Sequence, residues 1–386
     1  MLTPDERHPI PIADHTITLR RFRKEEGRAV ILFHGGNTSG DTFLYPRDGL
    51  AGYLARDGWD VWIADWRGSP KVLNADALRF TVDDVANNDL PEAIEFVRRE
   101  SECEHLAVVA HCLSGCALSM AIARGHLQAE KRKVDRVVLT TLGLFFESCW
   151  DGWIKAEDFI LERLEADPSR VINIDPKAPA AWPAPLQEAL DRWPRAWLPP
   201  WVAFASDPLE TLTFMFGRPY RRRALHPELW ARLIVRCALA ILAPEKYHRL
   251  GRMFGPMHLG MYLHIGQMVR RGYAAPFNEL DVIDRPRITS PRRRRISSAR
   301  VRRVASAAHD LDPTHFRDRH ITLIGSTDNQ LWHRDSVDLM YEWLCSNVRG
   351  RKHQFRKVIV PGGHQDLYWG RDAQRVYGHI LDAIAP

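Results

Sequence analysis

The apolar residues of this chain fall into short unbroken runs separated by amphipathic stretches, and that alternation predicts most of its elements. "RAVILF", ending at Phe33, "WDVWIADW" (Trp59 to Trp66), "HLAVVAH" (His105 to His111) and "DRVVLTTLG" are continuous enough to be strands buried on both faces. "TITLRRF" (Thr16 to Phe22) alternates instead, as a half-exposed strand does. Between these runs lie a helix-like stretch around Leu50 to Arg56 and the segment "TVDDVANNDLPEAIEFVRRE". In the latter, Val82, Val85, Leu90, Ile94 and Val97 approximate one helical face. From Leu113 onward the pattern is again helical. A β-α-β-α-β succession predicts a parallel sheet.

From about Phe145 the pattern changes. Trp150, Trp153, Trp182, Trp193, Trp197 and Trp201 crowd together, eight prolines fall between Pro168 and Pro200, and helical stretches follow to about Arg271. Strand-like "HITLIGS" (His320 to Ser326) and "FRKVIVPGG" (Phe355 to Gly363) then resume the sheet, and a last helix runs from about Asp372. The expected organisation is a core over 1–144, an inserted helical cap over 145–315 and the rest of the core over 316–386. No internal repeat is present.

Composition narrows the class. The 386 residues, 45% hydrophobic and 26% charged, fit one large folded α/β unit with an insertion and exclude wholesale disorder. The N-terminal "MLTPDERHPIPIADH" lacks the apolar core of a secretory signal, and the most apolar later run, "LWARLIVRCALAILAP", is broken by Arg232 and Arg236. The expectation is a cytoplasmic protein without a transmembrane segment. Its six cysteines, with no C-x-x-C and no zinc spacing, are expected to be reduced, and neither a metal nor another cofactor is expected. The formal net charge of +6 owes much to the 285–303 block, which holds nine arginines and no acid. With no aromatic residue there to stack a base, it reads as a solvated loop and not as a nucleic-acid surface.

The candidate chemistry sits at the strand-to-helix junction Ala110-His111-Cys112-Leu113-Ser114-Gly115. Small residues on either side of a central nucleophile are the pattern of a nucleophile elbow, a strained turn that exposes its side chain and backs it with a helix N-terminus favouring thiolate. A cysteine at such a junction also fits simple packing. Two later residues weigh against that reading. Asp328 follows a strand in "ITLIGSTDNQLW", and His364 lies in the turn after the last strand in "VIVPGGHQDLYWG", giving the order nucleophile, acid, histidine that the α/β-hydrolase fold uses. His364 would take the proton of Cys112 and Asp328 would hold the imidazolium. Alone, each also reads as an ordinary loop or cap residue.

"HGG" at His34 to Gly36 follows a buried strand. It is expected to bring a backbone N–H near Gly36 or Asn37 to an oxyanion shared with the N–H of Leu113, with His34, Gly35 and His111 lining the substrate site. Ser114 should face into the helix, Cys116 should pack beneath the elbow, and Asp366 is a substitute for Asp328 that local geometry aims elsewhere.

The segments "ILFHGG", "GWDVWIADWRGS", "FTVDDVANNDLPEAIEFVR", "VVAHCLSG" and "PGGHQDLYWGRDAQRVYGHIL" resemble the cysteine-elbow α/β-hydrolases related to the hydrolase part of fused cholesterol-oxidase-like proteins. The likeness extends into the cap through "TFMFGRPY" and "MHLGMYLHIGQMVRRGY". It implies an α/β-hydrolase fold with a mostly parallel central sheet and places the triad at Cys112, Asp328 and His364. The chain departs from that family in ending its elbow Ser114-Gly115 instead of Gly-Ser, and in carrying the Arg292 to Arg303 block. A shorter likeness, through the elbow cysteine and "DW", is to polyhydroxyalkanoate synthases.

The resulting expectation is an acyl-processing enzyme that works through a thioester on Cys112. Its partner would be a small-molecule acyl substrate, free or carrier-bound, with an apolar acyl chain under a tryptophan-rich cap. Hydrolysis of an ester or thioester ranks first, acyl transfer or cyclisation second, and a silent binding scaffold third.

Overall fold

The structure, a computed structural model, describes residues 3–12, 15–24, 28–36, 38–72, 80–103, 105–148, 259–277, 311–329 and 331–385. The tryptophan-rich run, the 285–303 arginine block and Asn37 lie outside the described residues.

Eight strands form one sheet: β1 (Glu6–Ile12), β2 (His15–Phe22), β3 (Arg28–Phe33), β4 (Asp60–Asp65), β5 (His105–His111), β6 (Arg136–Thr140), β7 (His320–Ser326) and β8 (Phe355–Val360). Their order is β1-β2-β4-β3-β5-β6-β7-β8. The β1/β2 and β2/β4 pairs are antiparallel, and every pair from β4 to β8 is parallel. The buried runs divide with period two. Ala29, Ile31 and Phe33 of β3, with Leu106, Val108 and Ala110 of β5, face one core layer, whereas Val30, Leu32, Ala107 and Val109 face the other.

Helices cover both faces, as a parallel sheet requires. On one lie α1 (Gly49–Arg56), α6 (Asp366–Trp369) and α7 (Ala373–Ile384). On the other lie α2 (Leu90–Ser101), α3 (Leu113–Ala123) and α5 (Asp335–Asn347). Within the segment assigned to the cap, α4 (Leu259–Arg271) is described, and the chain just after it pairs with the chain after β6 through a Phe145 to Tyr273 bridge. No helix among the described residues is long and apolar enough to cross a membrane.

Two local features depart from the sequence reading. The N-terminal residues up to Ile12, with Pro9 and Pro11, form strand β1, which the prolines tolerate because β1 is the edge of the sheet. The single helix expected after Thr81 is instead a helical turn (Val82–Asp84), a π-helical stretch (Val85–Asp89) and then α2. Pro91 has no N–H to give, and the fully buried Asp89 is drawn to Arg67, accepting from its guanidinium at 2.7 and 2.9 Å.

Chain order reverses at β3. The chain leaves β3 for β4 on one side and returns to β5 on the other, so the switch point of the sheet lies beyond the carboxyl ends of β3 and β5. Phe33 pairs with Ala110 there, which puts the "HGG" loop beside Cys112.

Candidate active site

Cys112 connects β5 directly to α3 with φ 55° and ψ −118°. A side chain at such a positive φ costs about 1–3 kcal/mol and persists only where its surroundings impose it. Here the Cys112 N–H donates to the Thr140 carbonyl at 2.9 Å, holding the turn to the end of β6. A Cβ on Gly115 would lie 2.5 Å from the Leu142 carbonyl oxygen and 3.3 Å from that of Ala110, so the position admits no side chain. The approach at Gly35 is close as well, with a Cβ there 3.2 Å from the Cys112 Cβ and from the His111 ring. Gly36 lies against Leu113, and Met261 of α4 comes in from above. The structure thus brings Gly35, Gly36, His111, Cys112 and Leu113 together.

Ser114 is turned inward, its hydroxyl donating to the carbonyls of Phe33 and His111, each at 2.9 Å. Cys116 is fully buried with its Sγ against the Met120 sulfur, and burial pushes its thiol far above the usual cysteine range. Neither is placed to react. Asp366 accepts the N–H of Gly363 at 2.7 Å and shapes the turn carrying His364.

The loop after β7 meets that turn. Asn329 is buried, and its Oδ1 accepts the backbone N–H groups of Leu331 at 2.9 Å and Trp332 at 3.0 Å. Those two bonds fix the orientation of the amide, so its Nδ2 faces His364 Nδ1 at 3.1 Å. An N–H donated to Nδ1 selects the neutral tautomer with its proton on Nε2. Asp328, next in the chain, is exposed; its Oδ2 accepts from the Thr327 hydroxyl at 2.8 Å and from the Gly362 N–H at 3.3 Å. Trp332 completes the cluster, its indole Nε1–H donating to Cys112 Sγ at 3.3 Å. Sequence reasoning missed Asn329 and Trp332, although both stand in the "STDNQLW" string that supplied Asp328.

Two buried histidines lie beneath the site. His111 pairs through Nδ1 with the Thr140 hydroxyl at 2.9 Å, and that hydroxyl with the Tyr368 phenol at 2.9 Å. The His111 ring centre is 4.8 Å from that of His364. Burial, then His364, holds its pKa well below the ordinary value of 6.5. His34 stacks on Trp66 at 5.0 Å and pairs through Nδ1 with the Gly35 carbonyl at 2.7 Å, and burial lowers its pKa to about 4. His34 therefore supports the "HGG" loop from below.

Both rings are neutral in the native state. Below about 6.5 the unfolded chain binds protons that the native protein does not, so stability falls as pH drops toward 4. Denaturant midpoints should accordingly decline between about pH 7 and pH 5, each ring contributing at most about 1.4 kcal/mol per pH unit. A flat profile over that interval would show that the rings accept protons without unfolding.

The sequence model of a family described as alpha/beta hydrolase fold matches residues 28–180. Gastric triacylglycerol lipase of Bos taurus is 29% identical over 151 residues, which is 34% of this chain and 38% of the lipase. The chain thus matches well under half the length of that curated relative. Among solved structures, DcsB in complex with its substrate analogue superposes with a TM-score of 0.51 at 11% identity over 99% of both chains. A hydrolase from Pseudomonas aeruginosa PA01 gives 0.48 at 13% identity, also over 99% of both. The chain has the α/β-hydrolase fold, and Cys112 stands at its strand-to-helix turn beyond the carboxyl end of β5.

Proposed function

We propose that the protein processes acyl groups through a thioester on Cys112. The observation that carries this reading is the conformation of Cys112, a strained φ of 55° at the head of α3, at the switch point beyond β3 and β5. His364 takes the thiol proton and the sulfur attacks the carbonyl carbon of an ester or thioester. As the S–C bond forms, the carbonyl electrons move onto oxygen, held by the N–H of Leu113 and one from the "HGG" loop near Gly36. Collapse re-forms the carbonyl and breaks the bond to the leaving group, which departs with the proton from His364. A water, deprotonated by His364, then attacks the thioester and returns the thiol.

Two side chains divide the support of His364 in this scheme. The Asn329 amide, donating to Nδ1, holds the resting ring with its proton on Nε2, so the ring takes the thiol proton only once its own proton has moved to Nδ1 and freed Nε2. An imidazolium carries a proton on both nitrogens and needs an acceptor at Nδ1, which is the part of Asp328, one residue away.

Hydrolysis is favoured, in keeping with the lipase likeness. Transfer to a bound acceptor is the second reading, favoured by a cysteine that is only 7% exposed, since a thioester shielded from water gives an amine, thiol or alcohol time to react. Product analysis separates them. Nitrophenyl esters and acyl thioesters of graded chain length, incubated with and without acceptors, should yield free acid in every case. Acylated acceptor as the main product would establish transfer, and no release from any donor would leave a binding scaffold.

A further inference from the structure

Burial alone would make Cys112 a poor thiolate, since an apolar environment raises a thiol pKa. Three features around it bear on that. The helix α3 begins at the next residue, His364 stands in the same cluster, and Trp332 aims its only polar atom at the sulfur.

The third has no counterpart in the scheme above. A thiol sulfur is a weak acceptor and a thiolate a strong one, so an N–H held against it favours the ionised form. The indole is also fixed from several sides. Trp332 is 4% exposed, its ring stands edge-on to Phe146 at 5.4 Å, its backbone N–H is held by Asn329, and it bridges Ser148. We propose that the Trp332 indole N–H stabilises the Cys112 thiolate, and that Asn329 couples this donor to His364 by binding both the Trp332 backbone and the imidazole. This rests on Cys112 being the nucleophile. It adds that Asn329 and Trp332 place one donor on the base and one on the nucleophile. The same N–H stays on the sulfur when the thioester breaks, so it also eases deacylation.

Among the described residues, the titratable groups near the sulfur are His111 in β5, Cys116 in α3, Tyr368 in α6, and Asp328 and His364 in the loops after β7 and β8. Burial keeps His111 neutral by lowering its pKa and keeps Cys116 and Tyr368 neutral by raising theirs. Removing an uncharged N–H alters none of those charges, so a shifted thiol titration reports the lost bond.

The test is the pH dependence of iodoacetamide alkylation at Cys112, followed by peptide mass, in the full chain. Trp332→Phe and replacement of Trp332 by benzothienylalanine, which keeps the bicyclic shape and lacks the N–H, are compared with the parent. Both should move the alkylation midpoint up by about one pH unit, with roughly tenfold slower alkylation below it. Profiles that superimpose on the parent in the benzothienylalanine protein would overturn the proposal. Because alkylation needs no turnover, that failure differs from failure of the acyl-enzyme reading, which would appear as full activity in Cys112→Ala.

Discussion

Cys112→Ala is expected to lose turnover by at least about 10³-fold while folding as the parent does, because it deletes only the atom that bonds the acyl group. Alanine meets the same backbone demand at φ 55° as cysteine, and the side chain is already packed at 7% exposure. The neighbouring substitutions supply the contrast. Ser114→Ala removes a hydroxyl that bonds the Phe33 and His111 carbonyls, so it should cost about 1 kcal/mol of stability and leave most of the rate. Cys116→Ala shortens a side chain under the elbow and should behave likewise. Normal turnover by Cys112→Ala, with loss in Ser114→Ala, would assign the chemistry to the serine.

The second large effect is expected at the base. His364→Ala should lower the rate by about 10³-fold or more, since proton transfer to the leaving group then has no donor. Asp328→Asn should cost about 10²- to 10⁴-fold, as the loss of a carboxylate facing an imidazolium does, and Asn329→Ala about tenfold. The pair discriminates between the two supports of the ring. If Asp328→Asn kept the full rate and Asn329→Ala did not, the amide seen at 3.1 Å from Nδ1 would be the sole orienting group and the carboxylate would serve only its loop.

The strands β3 to β7 were legible because each is an apolar run buried on both faces, whereas β8, at the sheet edge with Arg356 and Lys357 exposed, was legible from its apolar end before the Pro361-Gly362-Gly363 turn. Strand β1 was not. Its prolines read as breakers, and only the pairing with β2 at the sheet edge shows why they are tolerated. Helix α5, between β7 and β8, was passed over, and the π stretch was hidden because the Asp89–Arg67 pair within it is tertiary. At the site, the elbow is a local pattern, and its small residues announce themselves at fixed spacing. The contact of Trp332 with Cys112 joins positions 220 apart, and the Asn329 contact depends on which way one loop turns. Residue type points to Asp328 as the partner of an imidazolium, and only the turn of the loop shows that Asn329 is the side chain facing His364 Nδ1.

The account turns on a covalent bond to one sulfur, and a mass measurement tests it. Mix the protein with an acyl thioester that deacylates slowly, quench in acid, weigh the intact chain and map the modified peptide. The predicted result is one acyl group on the peptide holding Cys112, released by neutral hydroxylamine as a thioester is, and absent in Cys112→Ala. An acyl group on Ser114 or on any other residue, with Cys112 unmodified during turnover, would contradict it.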